Sequence, residues 1–446
     1  MTQYILELEE FGVAFGEKII LSSVDLKVPV KGNVVLFGPA GIGKSTLLRS
    51  ICGINYSNPS FRTWGKASFA GDEINNKHIN GDQQEIVIVS QNAKLMMSTV
   101  FENIVSGLPE RRSLRQNQQV DLVKRILEQA GLPELTDKLD ESVINLPLGQ
   151  QRHIAIIRTA VSNPKLLCID EPTTGIDEEH IAPLLKYISN EAKKRAIITI
   201  LHNQDHAKQL EGIVALLSSG WINECESDKT FYTEPKSKAG KQFVKTGSCL
   251  AVDPESVEED LVFLDQDAID LPPPIPEAAK DFVSDAFGPR NFLWLKKGML
   301  AGTPQPGLVN EIEYDLMLLK KVGITKLISL RELEPDAEVI KNYDIESLWF
   351  PMKDMTAPPI KEAKKWCKKV AKMLQQNEIV AFHCKAGLGR TGTLLVAQLI
   401  WEGMDALKAL EKARQIEPRW VQSEKQVKFI EAFDKSVKKE QQKTSS

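Results

Sequence analysis

Asn33-Val34-Val35-Leu36-Phe37-Gly38-Pro39-Ala40-Gly41-Ile42-Gly43-Lys44-Ser45-Thr46 decides the reading of the first half of the chain. An apolar run that ends in a glycine loop has the pattern of a buried parallel strand. The residues that follow, Thr46 to Cys52, read as helix. Between the two, Gly38 to Thr46 fits G-x-x-x-x-G-K-[ST], in the strand-to-helix setting that the motif requires. Glycines let successive backbone N–H groups turn inward around a phosphate, and the helix points its positive end at the same place. Gly38, Pro39, Ala40, Gly41, Ile42, Gly43, Lys44, Ser45 and Thr46 are therefore candidate phosphate-binding residues. Lys44 is expected to reach the β- and γ-phosphates of a nucleotide, and the Ser45 hydroxyl to ligate Mg²⁺.

Working outward, Lys165 to Ile169 and Ala196 to Leu201 are further apolar runs, each preceded by a helical stretch. Strands that alternate with helices predict an α/β domain with a largely parallel sheet. Asp170 and Glu171 stand at the end of one such strand, where Asp170 is a candidate to hold Mg²⁺ through water and Glu171 to activate an attacking water. His202 and His206 have an i, i+4 spacing that also suits a metal pair, with no third ligand in view.

Near the other end the strand Glu378 to Phe382 runs into His383-Cys384-Lys385-Ala386-Gly387-Leu388-Gly389-Arg390-Thr391-Gly392, with helix expected from Thr393 to Trp401. A cysteine and an arginine separated by five residues can close one loop around one phosphate. Loop amides and the Arg390 fork would bind its oxygens, and the same positive field favours the Cys384 thiolate as nucleophile. Thr391 can donate a hydrogen bond to the sulfur. Asp354, on the proline-bounded loop Phe350 to Pro359, is the candidate proton donor and could close over the site. Gln422 is the candidate to orient the hydrolytic water, with Gln426 as its competitor.

The 446 residues exceed one ordinary core, and 42% hydrophobic with 26% charged residues is the balance of a globular protein. A net charge of −4 gives no global attraction to nucleic acid or anionic membrane. Cys52, Cys168, Cys225, Cys249, Cys367 and Cys384 show neither a disulfide framework nor a zinc spacing, which fits a reducing, cytoplasmic setting. The N-terminus carries acids where a signal peptide carries basic and apolar runs, and nowhere do about 18 apolar residues run uncharged. A peripheral place at the membrane would therefore come through a partner. From Asp253 to Asp270 acids crowd the chain, followed by Pro272-Pro273-Pro274-Ile275-Pro276, and this predicts an extended linker, with Leu261 to Leu264 as residues able to dock. The expected organisation is a first domain over 1–246, a linker over 247–288, a second domain over 289–440 and a tail over 441–446. Lys361 to Lys372 reads as an amphipathic helix with a solvated basic face.

Over about the first 245 residues these motifs resemble the ABC ATPase family, which implies a P-loop cassette with a helical subdomain that uses ATP and Mg²⁺. The resemblance implies further roles. Phe15 sits where members stack an aromatic on adenine, Gln91 where they contact Mg²⁺ and couple to a partner, and His202 where they hold the γ-phosphate. Thr99 to Ile104 and Thr174 to Asp177 match familiar stretches, and Ala215 to Gly220 with Phe231 to Pro235 resembles the tail of importer-type cassettes. The family implies a dimer of cassettes, homo- or heterodimeric, and for importers a separate membrane permease. The signature stretch departs from the family: Leu146-Pro147-Leu148-Gly149-Gln150 has Pro147 and Leu148 where members carry serine and glycine. That weighs against vigorous hydrolysis by a symmetric homodimer.

Arg290 to Lys435 resembles the protein-tyrosine and dual-specificity phosphatases, with Trp294 to Pro304 like the opening of the compact type. The resemblance implies a second α/β domain that releases phosphate from a phosphomonoester, protein or small molecule, without a cofactor. Three readings stay open: a bifunctional enzyme, a transport subunit with a phosphate-binding second domain, and a phosphatase with an ATP-sensing dimerisation module.

Overall fold

The computed structural model describes residues 3–74, 85–90, 99–256, 269–280 and 288–444. The chain divides into two compact units, Met1–Gly53 with Arg62–Phe282, and Ile54–Phe61 with Val283–Ser446. Gln91, the acids at 258–260, 265 and 267, and the apolar run 261–264 lie outside the described residues.

In the first unit the described strands form one sheet in the order Asp72–Glu73, Phe61–Phe69, Tyr4–Phe15, Lys18–Pro29, Trp221–Ser227, Ile213–Ser218, Gly32–Phe37, Ala196–Ile200, Leu166–Asp170, Ile86–Val89. The five strands from Ile213–Ser218 to Ile86–Val89 run parallel. Their near-continuous burial explains why they read as apolar runs rather than as alternating patterns. Leu36 pairs with Ile200, and Ile200 with Asp170, so the chain leaves three neighbouring strands at one edge. Helices Val100–Gly107, Gln116–Ala130 and Leu148–Val161 are inserted between Ile86–Val89 and Leu166–Asp170 and supply the expected helical subdomain. The first of them opens on a capping box: the Glu102 amide donates to Thr99 Oγ1 at 3.1 Å and the Thr99 amide to Glu102 Oε2 at 3.0 Å. Ile154 and Ile157 join Leu184 and Ile188 in the core beneath Val35, Phe37, Leu167 and Ile169.

The stretch after this sheet is partly tied to it. Ser218 Oγ donates to the Leu250 carbonyl at 3.2 Å, and the Val252 amide donates to Ser219 Oγ at 3.0 Å. Beyond residue 268, Asp270 accepts the Ala239 amide at 2.8 Å. Ile275 and Ala279 pack with Ala14, Ile19 and Trp64, and Arg62 donates to the Ala279 carbonyl at 2.6 Å.

The second unit is built on a five-stranded sheet in the order Leu293–Lys296, Leu300–Thr303, Val380–His383, Lys326–Ser329, Glu346–Trp349. All neighbours are parallel except the first pair. Helix Gly389–Trp401 leaves the central strand after one short loop and is buried along nearly its whole length. It starts four residues before the expected Thr393, which puts Arg390 in its first turn. Two glycines in that turn disguise the helix in the sequence, because glycine is a weak helix former. Here Gly392 is required by packing: a Cβ would lie 2.6 Å from Trp420 Cβ. Helix Ile360–Gln375 buries Ala363, Cys367, Val370 and Met373 and exposes Lys361, Lys365, Lys368, Lys369 and Lys372, the amphipathic pattern expected of that stretch.

No disulfide joins any of the six cysteines, and among the described residues no helix is long and apolar enough to cross a membrane. Ala279 is 2% exposed in its apolar cluster. Ala279→Asp is expected to destabilise the first unit by at least about 2 kcal/mol, since a carboxyl there finds no water. Urea unfolding checks this, and an unmoved midpoint would mean that residues 275–280 contribute nothing to the unit.

Candidate active sites

In the first unit Gly38, Gly41 and Gly43 all adopt positive φ, at 147°, 75° and 107°. A Cβ on Gly38 would stand 2.1 Å from the Leu217 carbonyl oxygen, and one on Gly43 2.9 Å from Ile20. The loop is thus pressed between the Ile213–Ser218 strand and the hairpin arm that carries Ile20. Phe15 ends the other arm of that hairpin, paired with Lys18. Lys44 opens helix Lys44–Ile51 and is buried, and its ammonium donates to the Gly38 and Pro39 carbonyls at 2.8 Å each. Burial pushes its pKa down, and the negative field of Glu171 and Asp170 opposes that. Thr46 follows in the first turn, its carbonyl accepting from Ser50.

Ser45 Oγ donates to Asp170 Oδ1 at 3.1 Å. Burial raises the Asp170 carboxyl and the Ser45 hydrogen bond lowers it. A hydroxyl beside a carboxylate is a hard oxygen pair, suited to Mg²⁺ that keeps waters and phosphate oxygens as its other ligands. The residues present therefore fit Mg·ATP. Glu171 stands at φ 51°, and its Oε1 meets His202 Nε2 at 2.6 Å while Thr174 Oγ1 donates to Oε2 at 3.2 Å. Its backbone is fixed too: Arg152 donates to the Glu171, Pro172 and Thr174 carbonyls at 3.3, 3.2 and 2.5 Å. Arg152 was not singled out in the sequence, because its partners lie twenty residues away on another element. His206 meets Thr173 Oγ1 at 3.2 Å rather than joining His202. Among the described residues no three His, Cys, Asp or Glu cluster as a metal site.

The departing signature stretch begins helix Leu148–Val161, capped by Pro147 without a side-chain hydrogen bond. The Gln151 amide is the first to bond back, to the Pro147 carbonyl at 3.0 Å, so the amides of Leu148, Gly149 and Gln150 lie ahead of the intrahelical ladder. Leu148 is 47% exposed, whereas a Cβ on Gly149 would sit 2.4 Å from His180 Cβ.

In the second unit Cys384 is buried at the end of the central strand, directly before the turn that leads into helix Gly389–Trp401. Gly387 adopts φ 72°, and a Cβ there would lie 2.6 Å from the Thr303 carbonyl oxygen. Arg390 is 6% exposed. It donates to the Met352 carbonyl at 2.9 Å and pairs with Asp354 Oδ1 at 3.1 Å, while its buried Nε has no partner among the described residues. Thr391 Oγ1, Thr303 Oγ1 and His383 Nε2 are likewise buried and unpartnered among the described residues. Asp354 itself is largely exposed. Gln422 Oε1 comes within 3.0 Å of where a Cβ on Gly389 would stand, so this side chain lies over the loop. Gln426, fully buried, spends its amide on the chain: Oε1 accepts the Gln422 and Ser423 amides, and Nε2 donates to the Thr356 carbonyl. Arg390 is thus set beside Asp354, and Gln422 over the loop that joins Cys384 to Arg390 and Thr391. Trp420, whose Nε1 donates to the Gly387 carbonyl at 3.1 Å, joins them without a sequence signal.

Residues 21–174 match the family model described as ABC transporter, and residues 301–404 match the one described as polymorphic toxin system, DSP-PTPase phosphatase. This chain joins an ABC-type ATP-binding domain to a DSP-PTPase-type phosphatase domain. Over 245 residues it is 29% identical to the phosphate import ATP-binding protein PstB 2 of Bacillus licheniformis, covering 54% of this chain and 89% of that protein. Over 246 residues it is 28% identical to the phosphate import ATP-binding protein PstB of Colwellia psychrerythraea, covering 54% and 88%. A bacterial Atm1-family ABC exporter with ATP bound aligns with 53% of this chain and 41% of its own, at 22% identity and a TM-score of 0.44. All three likenesses cover about half of this chain; residues 301–404 of the phosphatase-type domain are matched by the second family model.

Burial pushes the His383 imidazole, which sits beside Cys384, down to about 4. An unfolded histidine titrates near about 6.5. Between those values only the unfolded chain takes the proton, so stability present above about pH 6.5 is lost as pH falls toward 4. The His383 ring resonances are expected to stay flat from about pH 8 to 5; a midpoint near about 6.5 would contradict the burial.

Proposed function

We propose that the chain is a bifunctional enzyme that binds and hydrolyses ATP at the cassette and cleaves phosphomonoesters at Cys384 through a phosphocysteine. The observation that carries the second activity is the pair of buried donors at the end of the loop that starts at Cys384: among the described residues Arg390 Nε and Thr391 Oγ1 have no partner. Buried donors without acceptors are costly, and a bound phosphate supplies oxygens for them.

In this reading the Cys384 thiolate attacks phosphorus, and the P–O bond to the leaving group breaks as Asp354 gives that oxygen its proton. The phosphoryl group stays on sulfur, held by the loop amides and the Arg390 fork. A water placed by Gln422 then attacks, Asp354 takes its proton, and the S–P bond breaks to release phosphate. Thr391 donates to the departing thiolate. Phosphoproteins, phosphotyrosine above all, and small phosphate esters are both candidate substrates, and no cofactor enters these steps.

At the cassette, Gly38 to Thr46 would cradle the phosphates, Phe15 stack on adenine, and Ser45, Asp170 and Gln91 hold Mg²⁺, which neutralises phosphate charge when bound. Glu171 would orient the attacking water, with His202 on the γ-phosphate side. The likeness to phosphate import ATP-binding proteins favours a dimer of cassettes beside a membrane permease, in the cytoplasm or peripheral to the membrane. The proposed division into 1–246, 247–288, 289–440 and 441–446 assigns one activity to each large domain. A sensing-only cassette is the second reading, favoured by Pro147 and Leu148. The amides of Leu148 to Gln150 support the first, since a helix N-terminus binds an anion through backbone groups.

Hydrolysis of an aryl phosphate by the purified protein, with and without Mg·ATP, tests the phosphatase. Cys384→Ser is expected to abolish it, and a folded wild type with no turnover would sink the reading. For the cassette, Glu171→Gln is expected to lower ATP turnover about 100-fold or more while ATP still binds. Equal turnover in the two proteins would favour the sensing module.

A further inference from the structure

The turn from Trp420 to Gln426 touches both halves of the phosphatase site. Its first residue, 1% exposed, is bonded through Nε1 to the Gly387 carbonyl of the phosphate loop and packs on Gly392. Its backbone is pinned from outside, because Arg414 donates to the Trp420 carbonyl at 3.2 Å and to the Val421 carbonyl at 2.8 Å. Val421 holds φ 64°, a costly conformation for a β-branched residue and one that persists only where its surroundings impose it.

The far end of the turn grips the acid loop. Ser423 Oγ donates to the Met355 carbonyl at 2.8 Å, and Gln426 Nε2 donates to the Thr356 carbonyl at 3.1 Å. Met355 follows Asp354 directly, is itself left-handed at φ 55°, and donates its amide to Asp354 Oδ1 at 3.0 Å. Both bonds therefore act within two residues of the carboxylate that pairs with Arg390. Gln426 Oε1 is taken up by two backbone amides and Nε2 donates to the acid loop, so the proposed mechanism gives the water to Gln422.

We propose that Gln426 and Ser423 are positioning residues that hold the Asp354 loop over the phosphate loop, so that the proton donor is set before substrate arrives instead of swinging in afterwards. This deepens, and rests on, the phosphatase reading above. A held acid matters most when the leaving oxygen is a poor leaving group. An alkyl phosphate needs its proton in the transition state, whereas an aryl phosphate with an acidic phenol scarcely does. Loosening the loop is thus expected to act selectively, and a displacement near 1 Å suffices for a large loss.

The test compares wild type, Gln426→Ala and Ser423→Ala. The second variant removes only a hydroxyl on a half-buried residue, which keeps the question open to measurement if the first folds poorly. The readouts are kcat and KM on one alkyl and one activated aryl phosphate, together with amide hydrogen exchange. Both variants are expected to lose about tenfold more kcat on the alkyl ester than on the aryl ester, with KM little moved. The amides of residues 352–356 are expected to exchange faster, and those of 385–391 at the wild-type rate. Equal losses on both esters, or unchanged exchange at 352–356, would overturn the proposal. A wild type that cleaves neither ester would sink the phosphatase reading, and the exchange data alone would still decide whether the turn holds the loop.

Discussion

Several backbone amides can face one phosphate only if no Cβ stands in the way of the turn that carries them. Both candidate sites depend on this constraint. In the cassette, a Cβ on Gly38 would come within 2.1 Å of a neighbouring strand's carbonyl; in the phosphatase domain, one on Gly387 would come within 2.6 Å of another. Each loop is wedged against the strand beside it and turns at once into a helix N-terminus, which adds its own field. Parallel topology makes this possible, since it delivers neighbouring strand ends to one edge. The acids Asp170 and Glu171 come from the strand two places from the P-loop strand, with Ala196–Ile200 between them.

That constraint also explains what could be read from the sequence. The two loops are contiguous, and their glycines, Lys44, Ser45, Cys384 and Arg390 carry their chemistry at fixed spacing, as does the Asp170-Glu171 pair. The alternation of apolar runs and helices was equally readable, because buried parallel strands need no polar face. What escaped was whatever depends on distant residues. Arg152 clasps carbonyls some twenty positions on, Trp420 reaches Gly387 across 33, and Gln426 reaches Thr356 across 70. The early start of helix Gly389–Trp401 escaped for a related reason: Gly392 weakens the helical pattern locally while serving Trp420 from far away.

The two cations at the heart of the sites are held in the same way. Lys44 is buried with its ammonium on the loop's own Gly38 and Pro39 carbonyls, and Arg390 is buried between the Met352 carbonyl and Asp354. A buried charge without partners costs several kcal/mol, so these contacts keep each site assembled before any phosphate enters. Binding is then an exchange. On the proposed reading an arriving oxyanion would replace neutral carbonyls around Lys44, a gain in charge complementarity.

At Arg390 the exchange has a second consequence. Its present partner includes Asp354, the candidate proton donor, and two carboxylate-like anions cannot share one guanidinium fork on equal terms. A phosphate that takes the fork would weaken the hold on Asp354. The loop would then be free to drift unless other contacts hold it. The bonds from Ser423 and Gln426 go to backbone carbonyls, not to the Asp354 carboxylate, so they are expected to survive that change. The ion pair seats the carboxylate beside the loop, and on the proposal above the Trp420–Gln426 turn would keep it there once the pair is broken.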